Sequence, residues 1–321
     1  MKKGEADATG RDLNPGGRRR RIKTTVREYR QIYLFLLPAV VFFVLFAYLP
    51  MYGITMAFRE FRFDKGLFFS PWIGFRYFRS FFNYYAFWQL IRNTVVISFF
   101  KIILYFPLPI IFALLLNEIK NNAFKRVVQT VSYLPYFLSW VVAYVIIQQF
   151  ISLDNGLFNQ VRVYFGLEKI FYANEANYFY PIMFISFIWK NIGYSSIIYL
   201  AALAGVDLQL YEAATIDGAN RFRKMWHISL PSVAPIIIML FILGLSSVLS
   251  AGWDQIYQLR QPGNMQIADI LDTYVIKQGL RDGQFGYATA VSLFQSGIGL
   301  VLIVMTNAAV KKITENEIRL F

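Results

Sequence analysis

This sequence predicts an all-α membrane protein with about six transmembrane helices. Composition comes first: the chain is 57% hydrophobic and 16% charged over 321 residues, where soluble domains carry about a quarter charged residues. Its apolar residues also gather into runs of about 20, enough to cross a hydrocarbon core. Lysines and arginines, finally, concentrate at alternate ends of those runs, as in proteins oriented by cytoplasmic cations. Mean hydropathy is +0.44.

The same composition excludes several functions. A net charge of +13 suggests nucleic acid in a soluble chain. Here the cations sit near span ends, so membrane orientation accounts for them and no nucleic-acid partner is expected. There is no cysteine, and His227 is the single histidine, so disulfides, thiolate sites and histidine-rich metal sites are excluded. No Gly-x4-Gly-Lys-Ser/Thr phosphate loop is present, so the chain does not bind ATP by that device. No metalloprotease signature or Ser/His/Asp set is found, and the pair Asp269 and Asp272 is weak support for glycoside chemistry. Neither catalytic residues, a metal nor a bound cofactor is expected.

Taken in order, residues 1–30 form a basic tail with Arg18 to Arg21, Lys23, Arg27 and Arg30, and residues 1–20 are expected to be disordered. The membrane domain occupies 31–321. Its first span, 31–57, is too long for a signal h-region and lacks a small-residue cleavage site, so it is expected to stay in the membrane. Residues 58–92 string together aromatic side chains from Phe61 to Trp88. They form either an interfacial belt with a small packed lid or a docking surface for an external partner. The second span, 93–116, holds Pro107 and Pro109, expected to kink or break it, and Lys101, read as a buried partner or a snorkelling cation. The third and fourth spans are 128–150 and 180–204, then come 232–253 and 286–310. About 19 lysines and arginines fall on the tail side and about 11 on the other, so both termini are expected in the cytoplasm.

The segment 206–231 is the most informative. Asp207 suits the N-cap of a helix running to Asp217, and Gly218 suits the left-handed position that ends it. Tyr211, Ala214 and Gly218 share a face that is small in the middle, so another backbone could approach closely. A basic stretch, Arg221 to Lys224, follows, and Pro231 opens the next span. Glu212-Ala213-Ala214, then Gly218, then Ile228-Ser229-Leu230-Pro231 between two spans is a specific arrangement.

Here the chain resembles the membrane permease subunits of bacterial ATP-binding-cassette importers, which carry an EAA coupling loop of this pattern. The resemblance covers almost everything after the tail. Tyr48-Leu49-Pro50-Met51-Tyr52-Gly53 is similar to the end of the first span in oligosaccharide and polysaccharide importers. Gly74 to Phe78 with Phe87-Trp88 and Arg92-Asn93-Thr94 resembles the first outer loop of maltose-type permeases. Trp189-Lys190 with Ile197 to Gly205, Asp254 to Tyr257, Asp272-Thr273-Tyr274 and Tyr287 to Ala290 are similar to the remaining family segments. The most similar subgroup takes up complex saccharides, including acidic ones such as oligogalacturonides and alginate.

The resemblance implies an importer-permease (maltose-type) fold in the bacterial inner membrane, forming half of a translocation pathway. It implies a second permease subunit, two ATPase subunits that use ATP and Mg, an extracytoplasmic solute-binding protein and a saccharide. Tyr211, Glu212, Ala213, Ala214, Asp217, Gly218 and Arg221 are the expected coupling contacts. Sugars bind through aromatic faces and convergent hydrogen bonds. Trp189, Lys190, Asn191 and Tyr194 therefore form one candidate stretch of substrate pathway. Trp253 and Asp254, with Gln255 and Tyr257 at the outer end of the fifth span, form another. Lys190 either snorkels or lines the pathway. A passive channel leaves the coupling segment without purpose; a permease for another solute fits the saccharide-type segments less well; an enzyme lacks its residues.

Overall fold

The computed structural model describes residues 29–245 and 251–313. The expected disorder of residues 1–20, most of the basic tail and part of the end of the fifth span lie outside the described residues. The chain divides into two compact units, Met1–Thr55 and Met56–Phe321. The described part of the first is α1 (Arg30–Phe43), continued by a π-turn at Val44–Tyr48 and a helical turn at Leu49–Met51.

The second unit is helical, with one isolated bridge between Arg59 and Trp72 among the described residues. Its longer helices are α2 (Arg76–Phe82), α3 (Phe87–Phe100), α4 (Pro107–Asn117), α5 (Asn122–Tyr133), α6 (Trp140–Ile151) and α7 (Leu157–Tyr164). They are followed by α8 (Ala176–Ala204), α9 (Leu208–Ile216), α10 (Leu230–Leu245), α11 (Trp253–Leu259), α12 (Leu271–Ile276) and α13 (Phe285–Ile313). Four helical runs are long and apolar enough to cross a membrane, or up to six if two bent pairs each count as one span. That range includes the number read from the sequence.

Three of the expected spans take a more specific form. Of the kink or break expected at Pro107 and Pro109, the break is absent: α3 and α4 form one run, Phe87–Asn117, through a π-turn at Lys101–Tyr105. A proline lacks an N–H and its ring clashes with the carbonyl four residues back. A π-turn widens the helix just where that carbonyl would otherwise be stranded. The same device recurs: π-turns at Val44–Tyr48, Lys101–Tyr105 and Met225–Ser229 each end two residues before a proline, at Pro50, Pro107 and Pro231. The third span, expected at 128–150, is bent by 109° between Asn122–Phe137 and Trp140–Ile151. The fifth begins earlier than Pro231, since one helical run covers Arg221–Gly244. Trp253 belongs to the separate helix α11, after a turn at Gly252 with φ +86°.

The 29-residue α8 is the central element, packed on α4, α5 and α10. At its C-terminal end Tyr199 and Leu203 meet Ile110, Ala113, Leu114 and Val233. At its N-terminal end Phe179 and Met183 pack with Ile97, Ile256 and Ile270. Packing and close approach, not hydrophobic transfer, hold helices together in lipid. The closest approach is at Gly193, where any Cβ would collide with the Ser132 backbone.

The aromatic segment 58–92 folds as a partly packed lid that leaves Phe63, Phe69, Phe75, Tyr85 and Trp88 exposed. Phe58 stacks on Trp72 with ring centroids 5.5 Å apart. The Arg59 guanidinium donates to the Phe68 carbonyl at 2.7 Å and the Ser70 carbonyl at 3.1 Å. Beneath it Phe81, Phe87, Tyr274, Tyr287 and Val291 form a buried cluster joining the lid to α12 and α13.

Gly193→Val places a branched side chain against the Ser132 backbone. It is expected to cost about 1–3 kcal/mol by overpacking and to lower the melting temperature of the purified protein, with Gly193→Ala in between.

Candidate functional site

The coupling segment is built locally from caps. The Asp207 side chain accepts from the Gln209 backbone N–H at 2.9 Å and starts α9, which leaves α8 at 75°. Gly218 takes φ +74°, a conformation that penalises a Cβ. The Asn220 side chain accepts from the Arg223 backbone N–H at 2.8 Å and starts the next helical stretch. Two side-chain bonds close the loop on itself. Tyr211 and Ser229 hydroxyls lie 2.9 Å apart, and the Lys224 ammonium donates to the Thr215 hydroxyl at 3.1 Å. Ser229 and Thr215 were not singled out from the sequence, because hydroxyls there look like ordinary helix residues.

Glu212, Ala213, Asp217, Gly218 and Arg221 are exposed, while Tyr211 and Ala214 are half-buried. Large apolar side chains stand out among them: Ile216 is 88% exposed, Phe222 76% and Trp226 68%. Leu208 and Leu210 extend the patch. Exposed apolar side chains framed by charge mark a surface that another protein or a membrane covers.

The predicted pathway stretch on α8 is not one face. Trp189 lines an apolar pocket with Ile146, Phe150, Ile182 and Ile185. Asn191 donates to the Phe187 carbonyl of its own helix at 2.8 Å. Lys190 is buried within the chain. Its ammonium donates to the Tyr136 carbonyl at 2.7 Å and approaches the Pro135 carbonyl at 3.4 Å. It also lies 5.3 Å from the Tyr136 ring centre and 5.5 Å from that of Trp140. Those carbonyls belong to the break between α5 and α6, so Lys190 satisfies a broken span from inside.

Tyr194 does face a cavity. Its ring stacks on Tyr136 with centroids 3.7 Å apart and planes 3° from parallel. The cavity measures about 670 Å³ and is also lined by Tyr105, Pro109, Ser195 and Leu240. The Tyr105 hydroxyl donates to Ser195 Oγ at 2.6 Å. Aromatic faces with hydroxyls suit a polyhydroxylated ligand. Tyr105 and Tyr136 escaped the sequence reading, since nothing in linear spacing joins them to Tyr194.

Trp253 and Asp254 are exposed on α11, and Trp253 meets the Tyr257 ring edge-on at 6.4 Å. Their neighbour Gln255 is buried and central. Its amide donates to the Met183 carbonyl at 2.6 Å and Ser186 Oγ at 2.9 Å, while its oxygen accepts from Lys101 at 3.1 Å. Lys101 also donates to the Ala251 carbonyl at 2.6 Å. The Asp272 carboxylate accepts from the backbone N–H groups of Ala251 and Gly252 and from Gln295 at 2.7 Å. Asp269 serves elsewhere: the Arg260 guanidinium lies 3.0 Å from it, and burial pushes its carboxyl up while Arg260 opposes. Lys101 thus takes the buried-partner reading, and the two carboxylates support structure.

Removing either ammonium strands buried carbonyls. Lys190→Ala and Lys101→Ala are each expected to cost about 1–3 kcal/mol, read as a lower melting temperature. Lys190→Ala should leave the preference between acidic and neutral sugars unchanged, measured as sugar-stimulated ATPase activity of the assembled transporter.

Comparisons with known proteins agree with this geometry. Residues 105–315 match the family described as binding-protein-dependent transport system inner membrane component. The polygalacturonan/rhamnogalacturonan transport system permease protein YteP of Bacillus subtilis (strain 168) is 40% identical over 99% of this chain and 100% of its own length. A chain in the crystal structure of a bacterial ABC transporter involved in the import of the acidic polysaccharide alginate superposes with TM-score 0.84. It is 34% identical, covering 92% of this chain and 99% of that one. A bacterial alginate ABC transporter in complex with an alginate pentasaccharide-bound periplasmic protein gives TM-score 0.83 at 32% identity, over 93% and 100% of the two chains.

Proposed function

This chain belongs to the family of binding-protein-dependent transport system inner membrane components, and on that footing we propose how it works. It is a permease subunit of a saccharide importer of the ATP-binding-cassette type. Its solute is an acidic oligosaccharide, delivered by an extracytoplasmic binding protein. A second permease completes the pathway. Two ATPase subunits, which bind ATP and Mg, grip the coupling segment from the cytoplasm.

The observation that carries this reading is the exposed apolar Leu208 and Ile216 on the capped helix α9, with exposed Phe222 and Trp226 on the helical stretch that follows it between two spans. A passive channel has no use for them. Fully burying one such side chain contributes about 1.5–3 kcal/mol, so a partner covering several is held firmly. The small residues Ala213 and Ala214 allow close approach, and the turn at Gly218 leaves the basic stretch Arg221 to Lys224 beside it. ATP-driven closure of the ATPases moves α9, and packed helices pass that motion on as rigid bodies.

Saccharide handling falls to the Tyr136–Tyr194 stack and the cavity before it. Support for an acidic solute comes from the relatives that handle polygalacturonan and alginate. Arg76, Arg79 and Arg92 on the lid side add positive charge at the proposed outer mouth.

Gly218→Val, Ala213→Asp and Ala214→Asp are expected to insert normally yet lose transport and co-purify poorly with the ATPases. Wild-type uptake by all three variants defeats the coupling assignment.

Both termini are placed in the cytoplasm. A reporter after Ile313 is expected to report cytoplasm and one at Gly156 the exterior. A cytoplasmic signal at Gly156 means that α5 and α6 do not together cross the membrane.

A further inference from the structure

We propose that the lid carries a second saccharide subsite, in a cavity of about 450 Å³ where α2 meets the loop leading into α13. This deepens the saccharide-importer reading and rests on it. The cavity shares no lining residue with the Tyr194 cleft. With each bent pair counted as one span, three crossings separate the lid from the coupling segment, which puts its opening at the opposite face. Its volume falls within the range of about 300–1,000 Å³ usual for small-molecule sites.

The lining has the chemistry of sugar recognition. Tyr77, Tyr84, Tyr274 and Tyr287 supply the aromatic walls. The hydroxyls of Tyr274 and Tyr287 lie 3.0 Å apart at its floor, one donating to the other. Phenols are protonated at neutral pH and able to donate, and burial pushes those of Tyr84 and Tyr274 further up. Gln278 and Gln284 add amides that can both donate and accept.

Charge sits at the rim. Arg76 and Glu60 both line the cavity. Neither takes part in the two ion pairs among the described residues, Arg62 with Asp64 and Arg260 with Asp269. A guanidinium facing an open cavity suits a uronate carboxylate, which it can bind through two parallel hydrogen bonds. The floor is preformed. Phe81 is fully buried beneath it, with its ring 6.3 Å from Tyr274 and 6.5 Å from Tyr287. Such a site would hold one sugar unit at the mouth while the deeper cleft holds another.

Ser80 lines the cavity from an exposed position, so Ser80→Trp fills it without touching the core. The test uses the assembled transporter in lipid nanodiscs, with labelled digalacturonate and maltose as probes in equilibrium dialysis. Two classes of digalacturonate site are expected in the wild type. Ser80→Trp should lose one class, Tyr194→Ala the other, and Ser80→Ala should keep both. Digalacturonate binding lost to Tyr194→Ala but untouched by Ser80→Trp overturns the subsite and leaves the importer reading standing. Loss of binding-protein association in Ser80→Trp with both sugar sites intact overturns it as well, making the cavity a protein contact. If neither sugar binds the wild type or stimulates its ATPase, the saccharide reading itself falls.

Discussion

A backbone carbonyl freed inside a membrane must find a donor, because lipid offers none. This fold breaks apolar helices and meets that demand with two lysines. Lys190 serves the carbonyls at Pro135 and Tyr136, and Lys101 serves the one at Ala251. Each ammonium reaches across from a different helix, so each repair is also a tether. Without them the carbonyls at the bend between α5 and α6 and at the turn into α11 lose these donors, at a cost of about 1–3 kcal/mol each. The Tyr136–Tyr194 stack depends on the first of these repairs, since Tyr136 sits in the break itself.

Prolines pose the same problem more gently. Three of them follow π-turns, so the helix absorbs the missing N–H by widening rather than by bending. The run Arg221–Gly244 therefore carries straight from the coupling segment into the membrane. Met225 and Leu230, just after the basic stretch, pack against the cluster of Val233, Tyr199 and Leu203.

Much of this was legible in sequence, and the limits have physical causes. Span number followed from apolar length and helix ends from caps, so Asp207 and Gly218 adopt the geometry their types suggest. The break in the third span was missed because apolar length does not register direction. Its signals were present in Pro135 and in Ser139, which caps α6 by accepting from Val142 at 3.2 Å. The carbonyl partners of Lys190 were not legible because periodicity gives a residue's angle on its helix but not the neighbour it meets. Gln255 joins Lys101 to Met183 and Ser186 over separations of 154, 72 and 69 residues, beyond any local pattern.

The angle of 75° between α8 and α9 has a mechanical meaning. The two helices form a bell crank, with α9 as the short arm and α8 as the long one. With 29 residues α8 is about 43 Å long at 1.5 Å per residue. A rocking of about five degrees at the elbow therefore sweeps its far end through roughly 4 Å, about the width of a side chain. The loop bonds between Tyr211 and Ser229 and between Lys224 and Thr215 brace the short arm against buckling. Small strokes at the base become large displacements at the mouth, and the leverage is fixed by the length of one helix.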